Sequence, residues 1–468
     1  EAGGGTWADA SSDYNVALGN YTLASALNGA QSNTALGYGA AYGLTSADSC
    51  IAIGHNSMNV HTTGVRNIAI GHGAMDDTDA GGSSLDSNDN VFIGTDAGGG
   101  TWANASSNYN IGIGSYALDA ALDGANNNVA VGYGSLGAAT QGDANVAIGS
   151  TALASLTTAA NVIALGQNAG YSITTLSDNI AIGGSALKLI NAGSGQNVAI
   201  GSNAMLSSGT AADNDASRNV AIGYWALKAI TDGDDNVAVG GNAGDALTTG
   251  GSNTFLGTGA GGATTDVDDA VFIGKDAGVD GNVTSAADGT IGIGRSALSV
   301  LTSGANNLAI GYEAMKTHTT GVRNIAIGYG VMNDTDAGSN SLDSDDNVFI
   351  GYDAGGGTWV NAKSEYNVAI GNYAMDSALN GAINNVAIGY TALSAVTEGD
   401  RNVAIGHGAQ LYGTTAASNT AIGNSALYYN ETGTNNVAIG RDSMGGASGQ
   451  SHSNNTAVGY ASLMSITT

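Results

Sequence analysis

Apolar residues in this chain fall in short bursts of three, never in long runs. The burst Ile68-Ala69-Ile70 sits between Asn67 and Gly71, and the same arrangement recurs along all 468 residues. As a pattern it reads Asn, aliphatic, Ala, aliphatic, Gly, two free positions, a small residue, then Leu, Met or Gly. It occurs twenty-five times, with its Gly at Gly19, Gly37, Gly54, Gly71 and onward to Gly459. The commonest spacing between those glycines is seventeen residues, with excursions to about twenty-three where loops are inserted. Side chains alternate between faces in a strand, so Ile68 and Ile70 share one face and Ala69 the other. A helix would need apolar spacings of three and four over more than ten residues, and the glycines cut every run short of that. A short strand repeated at a fixed period predicts a solenoid.

Each column of the repeat has a physical reading. The Gly permits a positive φ at which the chain turns a corner. Asn fills its column in twenty-one units, the exceptions being Cys50, Val162, Ala270 and Thr290. Stacked coils would let these amides form a ladder along the axis; simple turn chemistry would accept Asp, Ser or Gly more often. The middle strand position holds Ala in nineteen units, Phe in four (Phe92, Phe255, Phe272, Phe349) and Gly in two. Gly112 follows Phe92 by one coil and Gly292 follows Phe272, which predicts a large ring packed beside a vacancy. Seven of the eight methionines occupy the last position of the unit, alternating with Leu or Gly. That column is expected to be buried, with Met as a flexible gap-filler.

A second order of repetition overlies the first. Residues 52–149 match 309–406 at an offset of 257, and residues 1–54 match 96–149 at an offset of 95. Within the first pair the repeat residues Asn67, Ala69 and Gly71 return as Asn324, Ala326 and Gly328. The expectation is one continuous all-β chain over 1–468: a parallel β-solenoid, or β-roll, of about 25 coils. At about 4.8 Å per strand it would extend roughly 115 Å. Both ends fall inside the repeat pattern, as in a window onto a longer protein.

Composition narrows the function. The chain has 75 Gly and no Pro, and Pro cannot donate to a strand ladder. Only 11% of residues are charged and the net charge is −28, which leaves no basic patch for nucleic acid. A single cysteine, Cys50, excludes an intrachain disulfide, and no apolar run approaches the ~20 residues of a membrane span.

Candidate chemistry is sparse. Asp76, Asp77 and Asp79 with Asp86, Asn88 and Asp89, and later Asp334, Asp336, Asp343, Asp345 and Asp346, offer hard oxygen ligands of the kind Ca²⁺ takes. Of these, Asp86, Asp89, Asp343 and Asp346 are the nearest to a calcium set. The pattern fits neither an EF-hand nor a calcium roll, which favours solvated loops. His55, His72 and His407 directly follow the unit's Gly. They read as exposed turn residues, as do His61, His318 and His452, and the metal reading lacks a His-x-His pair. Eight tyrosines, among them Tyr38, Tyr133, Tyr224 and Tyr312, share that position; they either cover an edge of the roll or stack on sugars. Trp7, Trp102 and Trp359 recur in a Gly-Gly-Gly-Thr-Trp run as caps on a bulged loop. No catalytic motif is present, so neither an active site nor a cofactor is expected.

At Asn-Val-Ala-Ile-Gly-x-x-Ala the chain resembles two groups: the heads of trimeric autotransporter adhesins and the repeats of bacteriophage tail fibres. The run Thr319-Thr320-Gly321-Val322-Arg323-Asn324-Ile325-Ala326-Ile327-Gly328 looks closer to the phage version. The period is longer than in the compact adhesin head, so each coil carries a larger loop. The resemblance implies a left-handed roll in a homotrimer, on a virion or in the extracellular space, where a glycan or receptor is the partner. Apolar faces on both sides of each strand point the same way, because a strand must bury both. The function expected is a structural or adhesive fibre shaft holding a recognition tip at a distance. The alternatives are a polysaccharide-cleaving tailspike, which needs converging acids, and a self-assembling extracellular filament.

Overall fold

In the computed structural model, which describes residues 3–4, 11–78, 86–102, 104–335, 343–359, 362–449 and 451–465, the chain forms two compact units, Glu1–Asp234 and Asp235–Thr468. The first holds twelve strands, from β1 (Val16–Leu18) to β12 (Val220–Ile222), and the second thirteen, from β13 (Val237–Val239) to β25 (Thr456–Val458). Every strand is three residues long and coincides with the aliphatic–Ala–aliphatic burst. Two single-turn 3₁₀ segments, Ala211–Asp213 and Ser285–Ala287, are the only helical pieces among the described residues. Both units are parallel β-solenoids.

Within each unit successive strands pair in parallel with identical columns opposite one another: Ile51 faces Ile68, Ala52 faces Ala69 and Ile53 faces Ile70. In every strand after β1 the middle residue is buried, and its two neighbours are half-buried or exposed. The roll therefore points its small column inward and its Val/Ile column outward. Period two alone leaves that choice open, because both faces are apolar. Small inward side chains let the opposite walls close into a dense interior.

The unit Gly is needed twice over. Gly132 has a φ of +138°, and a Cβ there would lie 2.5 Å from the carbonyl oxygen of Gly149 on the next coil. The Leu/Met column comes four residues after that Gly and is buried, as at Met58, Met75, Met205, Met315, Met332, Met375 and Met444. A further inward column lies three or four residues beyond, where Leu27, Leu44, Leu122, Leu156 and Ile173 are buried. His61 and Thr78 stand in this same wall, as do His318 and Thr335. The reading of His61, His318 and His452 as exposed turn residues is thus corrected: all three are buried.

The Asn column forms the expected ladder. Asn128 Nδ2 donates to Asn110 Oδ1 at 3.1 Å and to the Gly142 carbonyl at 2.7 Å, while its backbone N–H donates to the same Asn110 oxygen at 3.1 Å. Asn145 repeats all three bonds one coil on. Each amide thus satisfies buried backbone groups that the short strands leave unpaired. Thr290 stands in for Asn in part: its hydroxyl donates to Gly304 O and accepts from Asn307 N–H.

Phe92 lies opposite Gly112 in the register between β5 (Val91–Ile93) and β6 (Ile111–Ile113), and Phe272 lies opposite Gly292. A Cβ on Gly112 would sit 2.6 Å from Phe92 Cδ1. Each Phe also covers a glycine of its own coil: Gly98, Gly261, Gly278 and Gly355 would bring a Cβ within 2.6–2.9 Å of the rings of Phe92, Phe255, Phe272 and Phe349. Trp102 and Trp359 are fully buried. Their rings meet Phe92 and Phe349 at 5.8 and 5.6 Å, so they fill the core where a loop cap was expected. Trp7 lies outside the described residues.

Candidate functional surfaces

The outward strand face is the most continuous surface feature. Its two positions per strand are Val, Ile or Leu throughout, interrupted only by Thr34, Thr254, Thr420 and Thr456. Ile148, Ile222 and Leu256 are 43%, 37% and 46% exposed, and no charged residue breaks the column.

Beside this face runs the edge column that follows the unit Gly. In the second unit Tyr312, Tyr329 and Tyr352 stack face to face with centroids 5.0 and 5.1 Å apart. Tyr373 and Tyr390 continue the run edge-on, and His407 closes it stacked on Tyr390 at 5.2 Å. In the first unit Tyr38, His55 and His72 stack at 5.2 and 5.1 Å. Stacked rings spend their faces on one another and leave edges and phenol groups to solvent. That geometry is the edge-covering role, and it withholds the ring faces a sugar would need along these runs.

The calcium candidates are not drawn into one cluster. Asp89 receives a bidentate bond from Arg66, at 2.6 and 2.8 Å, and Asp346 the same from Arg323, at 2.7 and 2.8 Å. The guanidinium in each case holds the carboxyl below its ordinary range. The backbone N–H groups of Asp86 and Asp343 donate to Thr63 and Thr320 hydroxyls. Asp79 and Asp336 lie outside the described residues. Among the described residues no group of three or more His, Cys, Asp or Glu is arranged to hold a metal.

A different acidic group gathers on three successive coils of the first unit, joining the calcium candidate Asp76 to Asp96 and Asp119, which the sequence reading passed over. Burial, then the charges of Asp96 and Asp76, push the Asp119 carboxyl up to about 6. Burial and the charges of Asp96 and Asp77 raise Asp76 as well. His72 Nδ1 lies 3.7 Å from Asp96 Oδ1. The sequence signal was available: these acids sit at fixed places after consecutive unit glycines.

Buried His61 is fully engaged. Its Nδ1 meets Thr78 Oγ1 at 3.0 Å, and its Nε2 lies 3.0 Å from Gly64 O and 3.2 Å from Asn67 Nδ2. Cys50 occupies an Asn site, buried, and burial pushes its thiol up to about 11. Such a thiol is protonated and inert at neutral pH. No helix among the described residues is long and apolar enough to cross a membrane. No protein-family model matches the chain, and no curated protein sequence matches it.

Proposed function

We propose that this chain is the shaft of a homotrimeric fibre, displayed on a virion or in the extracellular space, with a structural and adhesive role and no catalysis of its own. The observation that carries the proposal is the outward Val/Ile face. In either unit it forms an aliphatic stripe about 50 Å long by the rise of stacked strands, well beyond the apolar patch soluble monomers ordinarily expose. Around a threefold axis three such faces cover one another. The aromatic edge beside the stripe, amphipathic and rigid, suits the rim of such an interface. Mass measurement in dilute buffer tests this. A particle of three times 45.8 kDa is expected, and Ile148→Lys, placing a charge on the stripe, is expected to shift it toward monomer. A stable 45.8 kDa monomer of the unaltered chain refutes the trimer.

One observation favours a second reading, polysaccharide cleavage. Burial, with Asp96 and Asp76 beside it, raises the Asp119 carboxyl to about 6, toward the range of a general acid. Release of reducing ends from bacterial surface polysaccharide, lost in Asp119→Asn, would establish it. Absence of depolymerisation across such substrates returns the acids to a structural role.

A further inference from the structure

Three of the edge-on tyrosine pairs among the described residues stand at corresponding places in the repeat and differ in what surrounds them. Tyr21–Tyr38, Tyr116–Tyr133 and Tyr373–Tyr390 all lie nearly perpendicular, with centroids at 5.4, 5.7 and 5.9 Å. They occupy matching places in the duplicated blocks. The first pair opens onto a cleft that Tyr42, Asn56 and Asn59 complete. At the matching positions of the copy 95 residues on stand Gly137, Thr151 and Ala154, which supply neither ring nor amide.

The cleft has a volume of about 280 Å³ and is lined by Tyr21, Tyr38, Gly39, Tyr42, Asn56 and Asn59. Its three rings are exposed by 50%, 50% and 46%. Tyr38 is flanked by Tyr21, edge-on at 78°, and by His55, stacked at 5.2 Å, whereas Tyr42 has no ring partner among the described residues and keeps its face for the cleft. Asn59 Nδ2 donates to Asn56 Oδ1 at 3.2 Å and reaches toward Gly39 O at 3.4 Å. The Asn56 side-chain NH₂ group and the Asn59 side-chain oxygen Oδ1 are left without a bonding partner among the described residues. The amide pair fits only because residue 39 is Gly: a Cβ would lie 2.5 Å from Asn56 Oδ1. At Gly134, its counterpart, the nearest atom is a Thr151 methyl at 3.7 Å.

We infer that this cleft binds a neutral hexopyranose residue of a glycan. A pyranose presents an apolar C–H face and a rim of hydroxyl groups. The unstacked Tyr42 ring, with Tyr21 beside it, meets the first, and a donor and an acceptor held side by side meet adjacent hydroxyls. A concave apolar wall with a few fixed polar groups is the usual form of a small-ligand site, and this volume accommodates one sugar ring at a time. No charged side chain lines the cleft, and the net charge of −28 disfavours anionic sugars. The inference deepens the adhesive part of the fibre reading but does not depend on the trimer, whose mass is measured separately.

Saturation-transfer NMR on the full chain tests it, with the methyl glycosides of glucose, galactose, mannose and N-acetylglucosamine as probes for terminal residues. Dextran probes residues within a chain, and N-acetylneuraminic acid is the anionic control. At least one neutral probe is expected to give signal, with none from the acid. Tyr42→Gly, and Asn56→Thr with Asn59→Ala, are each expected to weaken binding roughly tenfold or more. These are the residues the sister coils already carry in place, so folding is preserved. The reverse graft, Gly137→Tyr with Thr151→Asn and Ala154→Asn, is expected to create a second site. No signal from any neutral probe with the unaltered chain, or a signal that the cleft variants leave unchanged, overturns the assignment.

Discussion

Residues 52–149 and 309–406 are one stretch of sequence written twice, and the places where the copies differ separate what the fold requires from what it tolerates. Both keep a Phe in the small column, a buried Trp against it and a Gly beneath it: Phe92, Trp102 and Gly98 in the first, Phe349, Trp359 and Gly355 in the second. The next-coil glycine is not kept. Phe92 faces Gly112, whereas Phe349 faces Ala369. The second ring is tilted against its Trp by 57°, where the first stands at 69°. A small rotation thus absorbs a methyl group on the neighbouring rung. Room within the Phe's own coil is the stricter need.

That ordering gives the largest expected effect. In other coils the position of Gly98 carries Leu or Met at a similar left-handed φ, as Met75 does at +51°, so backbone strain is not what demands glycine there. The Phe ring does. Gly98→Leu is expected to cost about 3 kcal/mol, the upper end for overpacking, and Gly355→Leu the same. Phe92→Ala alone should cost a similar amount through the cavity it leaves. Combined, the two recreate an ordinary coil, and most of the loss should return. Gly112→Ala should cost about 1 kcal/mol or less, since the second copy already makes that substitution. Local opening free energies from hydrogen exchange are the measure, because long repeat arrays do not unfold as one unit. A Gly112→Ala variant as damaged as Gly98→Leu would reverse the ordering.

The repeat itself was legible because everything that defines it is local. A three-residue strand, a Gly corner and an Asn lie within five residues, and the register between Phe92 and Gly112 follows once coils are aligned. The link between Phe92 and Gly98 was equally open to view, since all four Phe coils carry Gly at that place, but it joins two columns rather than neighbouring rungs. The third wall was hidden for a different reason. It is built from Leu44, His61, Thr78 and Leu156, residue types with no common polarity, in segments that look like turns. The glycan cleft draws on three coils, so no contiguous stretch announces it. Only the contrast of Tyr42 with Gly137 hints at it.

The acidic group sharpens the comparison by a smaller amount. Asp76, Asp96 and Asp119 of the first copy become Asn333, Asp353 and Asp376 in the second. Burial raises Asp376, while a Ser394 hydroxyl bond pulls it back. Asp119 has no such bond among the described residues and feels Asp96 and Asp76 besides. A carboxyl whose folded pKa lies above its unfolded value opposes folding once ionised. Stability around Asp119 should therefore be greatest below about pH 4, fall as pH rises toward 6, and level off above. Allowing for solvent screening, the change should be about 1 kcal/mol. Asp76→Asn should shrink it and Asp119→Asn abolish it, read by hydrogen exchange at pH 4 and 7. An equal or larger pH effect around Asp376 would show that burial alone, and not the third acid, sets the difference.

The smallest expected effect lies at the coil just before the duplicated block, where the first copy has Cys50 and the second Asn307. Asn307 Oδ1 accepts from both the backbone N–H and Nδ2 of Asn324, at 2.9 and 3.2 Å, and its own Nδ2 donates to Gly321 O at 2.7 Å. Cys50 reproduces only the last of these: its Sγ lies 3.3 Å from Gly64 O, a weak donor in place of an amide. Asn67 then turns its Nδ2 to His61 instead. The backbone at Cys50 is already set for an amide, since its N–H donates to Asn33 Oδ1 at 2.9 Å as in an ordinary rung. Cys50→Asn should thus close the gap between Asn33 and Asn67 and raise local stability by about 0.5–1 kcal/mol, the net worth of one or two added hydrogen bonds. Slower exchange at the Asn67 amide is the direct readout. Exchange there that stays the same or quickens would mean that His61 has become the better partner, and that the first copy has settled into its own arrangement around the missing rung.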